Sequence, residues 1–219
     1  MADTQLLTDR LQLVLSRIEG AHPDPGRVTL VAVTKKFPTQ VAAEAVSVGL
    51  VDLGENYAQE LVAKATELGN AGGQQPRWHF IGGLQRNKIK KLAPWVSVWH
   101  TMDRPELLSE VAKRSPGAHV FVQVNTTDEP QKSGCNSDDA ARLVEHGRSL
   151  GLDVRGLMTL GPTDGSDPSQ AFDRLRKLGG TCEVDELSMG MSSDLEIAIE
   201  HGATMVRVGS ALFGPRSTH

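Results

Sequence analysis

Short apolar runs alternate with amphipathic stretches along most of the chain. The runs are rich in β-branched residues and are typical of strands buried on both faces, as in the segment Val28 to Thr34. Eight candidate strands of this kind occur, at 28–34, 51–53, 78–81, 98–101, 119–124, 154–159, 186–189 and 204–208. Candidate helices lie between them, at 39–49, 56–69, 85–94, 104–114, 137–150, 168–179 and 193–201. A further amphipathic segment, with leucines at helical spacing, precedes the first strand.

The alternation of strands and helices predicts an α/β fold with a parallel sheet, and eight strands favour a closed (β/α)8 TIM barrel. The competing architecture, an open doubly wound sheet, often carries a glycine-rich phosphate turn after its first strand. The first strand here is followed by Thr34-Lys35-Lys36-Phe37-Pro38, without a GxGxxG pattern, so we favour the barrel. Because no linker-like boundary interrupts the pattern, residues 1–219 are predicted to form a single domain.

Glycine and proline mark several expected boundaries. The segment Gly161 to Pro168 is rich in both and is predicted to be a loop between a strand and a helix. Gly179 follows the periodic part of its helix and is predicted to end it.

Composition and charge narrow the function classes. A formal charge of −4 and a pI near 6.0 argue against a general nucleic-acid binder or a protein of anionic membrane surfaces. Cys135 and Cys182 are far apart and lack a CxxC pattern, which excludes a disulfide scaffold and gives no zinc site. The chain starts without a basic and apolar leader and contains no apolar run of membrane-spanning length, so a cytoplasmic location is expected.

A pair of lysines, Lys35 and Lys36, ends the first strand. Side chains alternate along a strand, so only one of the two can point into the mouth of a barrel. A lysine at this position either reaches solvent or, if burial or a nearby cation lowers its pKa, can attack a carbonyl to form a Schiff base. Taken alone, the solvated lysine is the commoner outcome.

Two turns near the C-terminal end of the sequence could bind an anion. In TIM barrels, phosphate groups commonly bind at the loops after strands seven and eight. Ser192 follows the seventh strand, and Gly209 and Ser210 follow the eighth. Hydroxyl and backbone N–H groups beside a glycine can form an anion pocket, although each of these residues, taken singly, is more often a helix cap or a turn.

The chain resembles a known family in six motifs that occur in order: Ala32 to Lys35, Gly54 to Tyr57, Trp78 to Lys88, Gly156 to Thr159, Ser188 to Ser192 and Arg207 to Ser210. Together they are similar to the pyridoxal phosphate homeostasis proteins, which are related to the N-terminal barrel of alanine racemase. The resemblance covers roughly residues 28–214. It implies a barrel that binds pyridoxal 5′-phosphate (PLP).

The resemblance also implies a role for individual residues. Lys35 matches the lysine that forms the Schiff base with PLP. Ser192 precedes Arg207 by 15 positions, the spacing of a phosphate-binding serine and an arginine that faces the pyridine nitrogen. The remaining matches form the phosphate cradle or line the barrel mouth: Gly209, Ser210, Asn56, His79 and Met158. For His79, a buried and hydrogen-bonded core histidine remains an equal alternative.

By resemblance, the expected function is to hold PLP on Lys35, to maintain the intracellular supply of this cofactor and to deliver it to PLP-dependent apoenzymes. Racemase relatives use a tyrosine from an additional C-terminal domain as a second base, whereas Tyr57 is the only tyrosine here, so significant catalysis is not expected. Two alternatives remain open: a small racemase that uses Lys35 with water or His79, and a barrel for an unrelated phosphorylated metabolite. A monomer is expected, because the domain that builds the racemase dimer is not expected here.

Overall fold

Eight parallel strands pair in chain order and close into a barrel in which the first strand also pairs with the last. The computed structural model describes residues 4–22 and 24–215. The strands are β1 (Thr29–Val33), β2 (Asp52–Glu55), β3 (Arg77–Phe80), β4 (Val96–Met102), β5 (His119–Gln123), β6 (Asp153–Met158), β7 (Glu186–Ser188) and β8 (Met205–Val208). The predicted (β/α)8 TIM barrel is therefore confirmed.

A helix precedes the barrel, one follows each strand, and together they surround it. These helices are α1 (Thr4–Ala21), α2 (Thr39–Ser47), α3 (Ala58–Ala71), α4 (Arg86–Leu92), α5 (Pro105–Arg114), α6 (Ala140–Ser149), α7 (Ser169–Thr181), α8 (Leu195–Glu200) and α9 (Ser210–Phe213). Short 3-10 turns occur at Pro25–Arg27 and Ser137–Asp139. The short helix α9 was not among the predicted elements, because four residues are too few for a periodic pattern.

The helix α7 corrects one prediction. It continues past Gly179 and ends at Thr181, so the prediction that Gly179 ends the helix was wrong. A Cβ atom on Gly179 would lie 3.1 Å from Leu187 Cδ2, so this glycine lets α7 approach β7 closely. The loop predicted at 161–168 is confirmed. Lys132 Nζ, in the loop between β5 and α6, donates to the Gly161 carbonyl oxygen at 2.5 Å and so connects the two loops.

Side chains alternate between the barrel interior and the helix layer. A small interior cluster contains five buried residues: Val31, Val98, Phe121, Met158 and Met205. The strand residues between these positions, such as Ala32, Leu157 and Val206, belong to the larger core that the helices cover. The interior also encloses polar side chains, which lie next to the apolar cluster.

No helix within residues 4–22 or 24–215 is long and apolar enough to span a membrane. Across the same described ranges, no three His, Cys, Asp or Glu side chains come together as a metal site. Cys135 and Cys182 are both buried and unbridged.

Candidate functional site

Lys35 lies two residues beyond the end of β1 and is partly buried, whereas Lys36 is exposed. Val31 and Val33 share one face of β1, since both would contact a Cβ atom on Gly54, and Lys35 follows in the turn after the strand. Lys36 adopts a left-handed backbone conformation with φ 63°, which turns the chain away from the strand direction. The two lysines therefore differ in exposure to solvent.

A buried ion pair holds the end of β1 from the helix side. Lys64 Nζ lies 2.6 Å from Glu55 Oε1 and donates to the Thr34 carbonyl oxygen at 2.7 Å. The Thr34 hydroxyl donates to the same Glu55 oxygen at 2.6 Å. Burial holds the pKa of Glu55 above its ordinary value, and the interactions with Lys64 and Thr34 oppose this effect. The backbone immediately before Lys35 is thus fixed by bonds on the outer face of the barrel.

The anion-binding turns predicted after β7 and β8 lie side by side. The Ser192 hydroxyl accepts a hydrogen bond from the backbone N–H of Ala211 at 3.3 Å, in the first turn of α9. Gly209 packs against the end of β1, where its added Cβ atom would lie 3.3 Å from the Val33 carbonyl oxygen. Ser192, Gly209 and Ser210 therefore come together next to the segment that carries Lys35. We call these three residues the anion cradle.

Arg207 lies inside the barrel below the anion cradle, with 4% of its surface exposed. Its guanidinium donates to the Ser188 hydroxyl at 2.7 Å and to the Thr159 carbonyl oxygen at 2.8 Å. Burial lowers the pKa of Arg207 to about 10, and the carboxylate of Asp194 opposes that shift. The side chain stays charged at neutral pH, and these two bonds use two of its five N–H donors.

Two further predicted site residues, Met158 and Asn56, lie at the C-terminal ends of other strands. Met158 is 1% exposed in the interior cluster, in register with Ser188 on β7 and Gln123 on β5. Asn56 follows β2, and its Oδ1 atom is buried without a hydrogen-bond partner in the described part of the chain. The Oε1 atom of Gln123 is also buried and unpartnered there. A bound polar ligand could satisfy such atoms, since buried polar groups are normally hydrogen-bonded.

His79 lies deeper in the barrel than the other predicted site residues. Its Nε2 atom is 2.8 Å from Asp52 Oδ1, and its Nδ1 atom is 2.9 Å from His100 Nε2. Together with Thr29 and Asp52 it lines a cavity of about 370 Å³ at the N-terminal ends of the strands. In the structure His79 is thus a buried and hydrogen-bonded histidine. The structure does not bring it to the anion cradle.

Several polar residues in the interior were missed as site candidates from the sequence. They are Asp52, His100, Gln123 and Ser188, and each is at most 7% exposed. The sequence did contain an indication of these residues. A strand buried on both faces is expected to be almost continuously apolar, and these polar side chains interrupt that pattern. The partners of Asp52, His100 and Ser188 could not be predicted, because their hydrogen bonds join different strands of the barrel.

The residues brought together suit one kind of ligand. A primary amine on Lys35 can condense with an aldehyde, and the anion cradle can hold a phosphate. The buried cation of Arg207 can face the nitrogen of an aromatic ring. PLP combines these three features, so the site fits this cofactor.

Comparison with known proteins agrees with the fold. The family model of the alanine racemase N-terminal domain matches residues 8–217. A pyridoxal phosphate homeostasis protein of Pseudomonas aeruginosa is 39% identical over 223 residues, which cover 96% of each chain. PipY of Synechococcus elongatus, solved with PLP bound, is 30% identical with a TM-score of 0.82, and the match covers 95% of this chain and 100% of PipY.

A more distant structure supports the fold alone. Alanine racemase of Clostridium difficile is 13% identical with a TM-score of 0.74, over 96% of this chain and 58% of the racemase. The fold and the site thus define a barrel of the alanine racemase N-terminal type. Within that class, the chain belongs to the pyridoxal phosphate homeostasis protein family.

Proposed function

We propose that the protein binds PLP as a Schiff base on Lys35 and maintains PLP homeostasis, without significant catalysis. The observation that carries the proposal is the packing of Gly209, in the anion cradle, against the end of β1, two residues before the partly buried Lys35. The charged Arg207 is buried on β8, two residues before Gly209. The names of the relatives and the PLP-bound structure of PipY support the same ligand.

Each side chain has a separate task in this proposal. The anion cradle holds the phosphate, Met158 supplies an apolar surface for the ring, and Asn56 offers an unpartnered amide oxygen. Bound PLP supplies a reactive aldehyde and an electron-withdrawing ring. Arg207 is a fixed cation, and a cation opposes protonation of a facing ring nitrogen, so the ring withdraws electrons less strongly. The site therefore favours binding over carbanion chemistry.

The positions of the other candidate bases also support a binding role. Racemisation requires a proton donor and an acceptor on opposite faces of the substrate carbon. Both ring nitrogens of His79 are engaged by Asp52 and His100 inside the barrel. Tyr57 is 46% exposed at the start of α3. The engagement of His79 inside the barrel and the exposure of Tyr57 disfavour the racemase alternative.

We further propose that bound PLP is passed to apoenzymes, because a Schiff base with an accessible lysine forms and hydrolyses reversibly. The test is to mix the PLP-loaded protein with a PLP-dependent apoenzyme and a scavenger of free PLP. Recovery of apoenzyme activity faster than with an equal amount of free PLP is expected. Recovery no faster than with free PLP would refute delivery while leaving PLP binding intact.

A spectroscopic titration tests binding at Lys35, with Lys36→Ala as the matched control for Lys35→Ala. The wild-type protein and the Lys36→Ala variant are expected to develop the visible absorption of an imine when PLP is added. Lys35→Ala is expected to lack it, because the proposal assigns the Schiff base to the partly buried Lys35 and not to the exposed Lys36. Equal absorption in both variants would contradict the proposal. A wild-type protein that stays colourless would favour the unrelated phosphorylated metabolite.

A further inference from the structure

A continuous chain of hydrogen bonds crosses the barrel interior from Arg207 to Asp52. Arg207 donates to Ser188 Oγ at 2.7 Å, and Ser188 Oγ lies 3.0 Å from His100 Nδ1. His100 Nε2 lies 2.9 Å from His79 Nδ1, and His79 Nε2 lies 2.8 Å from Asp52 Oδ1. The chain joins β8, β7, β4, β3 and β2 in turn. One end lies below the anion cradle and the other at the cavity beneath the barrel.

The protonation states determine which group donates and which accepts in every link of this hydrogen-bond chain, so the chain has a single direction. Burial tends to raise the pKa of Asp52, but hydrogen bonds from His79 and Arg77 outweigh it and leave the pKa below its ordinary value, so Asp52 is a carboxylate and accepts. Burial lowers the pKa of His79 and lowers that of His100 further, so both rings are neutral. His79 therefore donates through Nε2 and accepts at Nδ1, and His100 does the same in the next link.

The direction has a consequence for Ser188. Because His100 Nδ1 must accept, the Ser188 hydroxyl donates to it, and the lone pairs of Ser188 remain available for Arg207. If every donor and acceptor were exchanged, His100 would donate to Ser188, and the Ser188 hydroxyl would have to accept from both His100 and Arg207. The ionised Asp52 thus favours the arrangement in which the Ser188 hydroxyl donates to His100 and accepts most strongly from Arg207.

The rings in the chain are held in place by packing. His100 stacks on Phe121 with ring centroids 4.7 Å apart and an interplanar angle of 15°. His100 and Ser188 are fully buried, and His79 is 1% exposed. The alternation of donors and acceptors is therefore built into a rigid part of the core.

We propose that Ser188, His100, His79 and Asp52 are positioning residues that fix Arg207 as a donor toward the ring nitrogen of the bound cofactor. This inference rests on the proposed function. Asp52, at the opposite end of the barrel, then affects ligand selectivity. It strengthens the preference of the site for a ligand that carries an unprotonated ring nitrogen.

The test compares the affinity for PLP with the affinity for its analogue in which a C–H group replaces the pyridine nitrogen. Only an effect that acts through the ring nitrogen changes the ratio of the two dissociation constants. The variants are Ser188→Ala, which breaks the chain, and the isosteric Asp52→Asn, which removes the charge that sets its direction. The control is Glu186→Gln, which removes a carboxylate from the same cavity and lies outside the chain, 3.3 Å from His119.

Ser188→Ala is expected to reduce the preference for PLP over the analogue by about tenfold, the typical effect of losing one hydrogen bond to a charged group. Asp52→Asn is expected to reduce it a few-fold, and Glu186→Gln is expected to leave it unchanged. If Ser188→Ala does not fold, the isosteric variant Asp52→Asn alone provides the test. Equal losses of affinity for both ligands, or an equal change in Glu186→Gln, would overturn the inference. Normal PLP binding by the wild-type protein in the same experiment would leave the proposed function standing.

Discussion

At the scale of single residues, the position of Lys35 depends on a buried ion pair that does not itself face the ligand. Lys64 is 3% exposed and Glu55 is fully buried, and their bonds to Thr34 hold the backbone before Lys35. A buried ion pair adds little net stability compared with apolar residues, but removing one partner leaves an uncompensated charge. The pair therefore contributes mainly to the geometry of the site.

Replacing Lys64 with methionine is expected to lower the free energy of unfolding by about 3–5 kcal/mol, because the carboxylate of Glu55 then remains buried without its partner. Combining Lys64→Met with Glu55→Gln removes the stranded charge and is expected to restore more than half of the loss. Urea denaturation of the single and double variants measures both effects. A single variant as stable as the wild-type protein would show that the pair does not constrain this strand.

The sequence predicted many of these residue-scale features but not all of them. Strand alternation indicated that Lys35 and Lys36 would differ. The positions of Ser192 and Gly209 after the seventh and eighth strands of a barrel indicated that they could form one anion pocket. For His79 the sequence left two interpretations open, a residue of the barrel mouth and a buried core histidine, and the structure shows it buried. Its position is decided by hydrogen bonds to Asp52 and His100, and a single sequence does not reveal such long-range pairing.

At the scale of elements, glycine determines how closely neighbouring strands and helices approach. A Cβ atom on Gly156 in β6 would lie 2.1 Å from the Glu186 carbonyl oxygen in β7 and 2.6 Å from the Phe121 ring. Gly179 performs a similar role between α7 and β7, which is why it lies inside a helix that it was predicted to end. A turn-forming glycine and a packing glycine cannot be told apart by sequence alone.

Two glycine substitutions test this distinction. Gly156→Ala is expected to lower the free energy of unfolding by at least about 2 kcal/mol, because the added methyl group would force β6 and β7 apart. Gly180→Ala, where an added Cβ atom contacts nothing within 4 Å, is expected to raise it by about 0.5–1 kcal/mol. Thermal unfolding of both variants makes the comparison. A destabilised Gly180→Ala, or a Gly156→Ala as stable as the wild-type protein, would contradict the packing account.

At the scale of the whole molecule, the barrel interior combines an apolar cluster with a polar chain. The repeated alternation of strands and helices predicted the closed barrel, because that pattern depends on local periodicity. The contents of the interior were harder to predict, because they depend on which strands become neighbours once the barrel closes. Polar groups in this position require partners, so the hydrogen-bond chain also affects stability.

The acid stability of the protein tests the contribution of Asp52. Its pKa is lower in the folded protein than the ordinary value of 3.8, so its stabilising effect is present above pH 3.8 and is lost as the pH falls through the folded value. The difference in unfolding free energy between the wild-type protein and Asp52→Asn is therefore expected to be largest near neutral pH and to shrink below about pH 4. Denaturant titrations across this range measure it. A difference that grows in acid would contradict the assignment.

The central claim is the covalent attachment of PLP to one lysine, and reduction with borohydride followed by peptide mapping tests it most directly. The wild-type protein, incubated with PLP and reduced, is expected to carry one phosphopyridoxyl group on Lys35, and Lys36→Ala is expected to behave in the same way. Modification of Lys36 or another lysine in place of Lys35, or undiminished labelling of Lys35→Ala, would contradict the account.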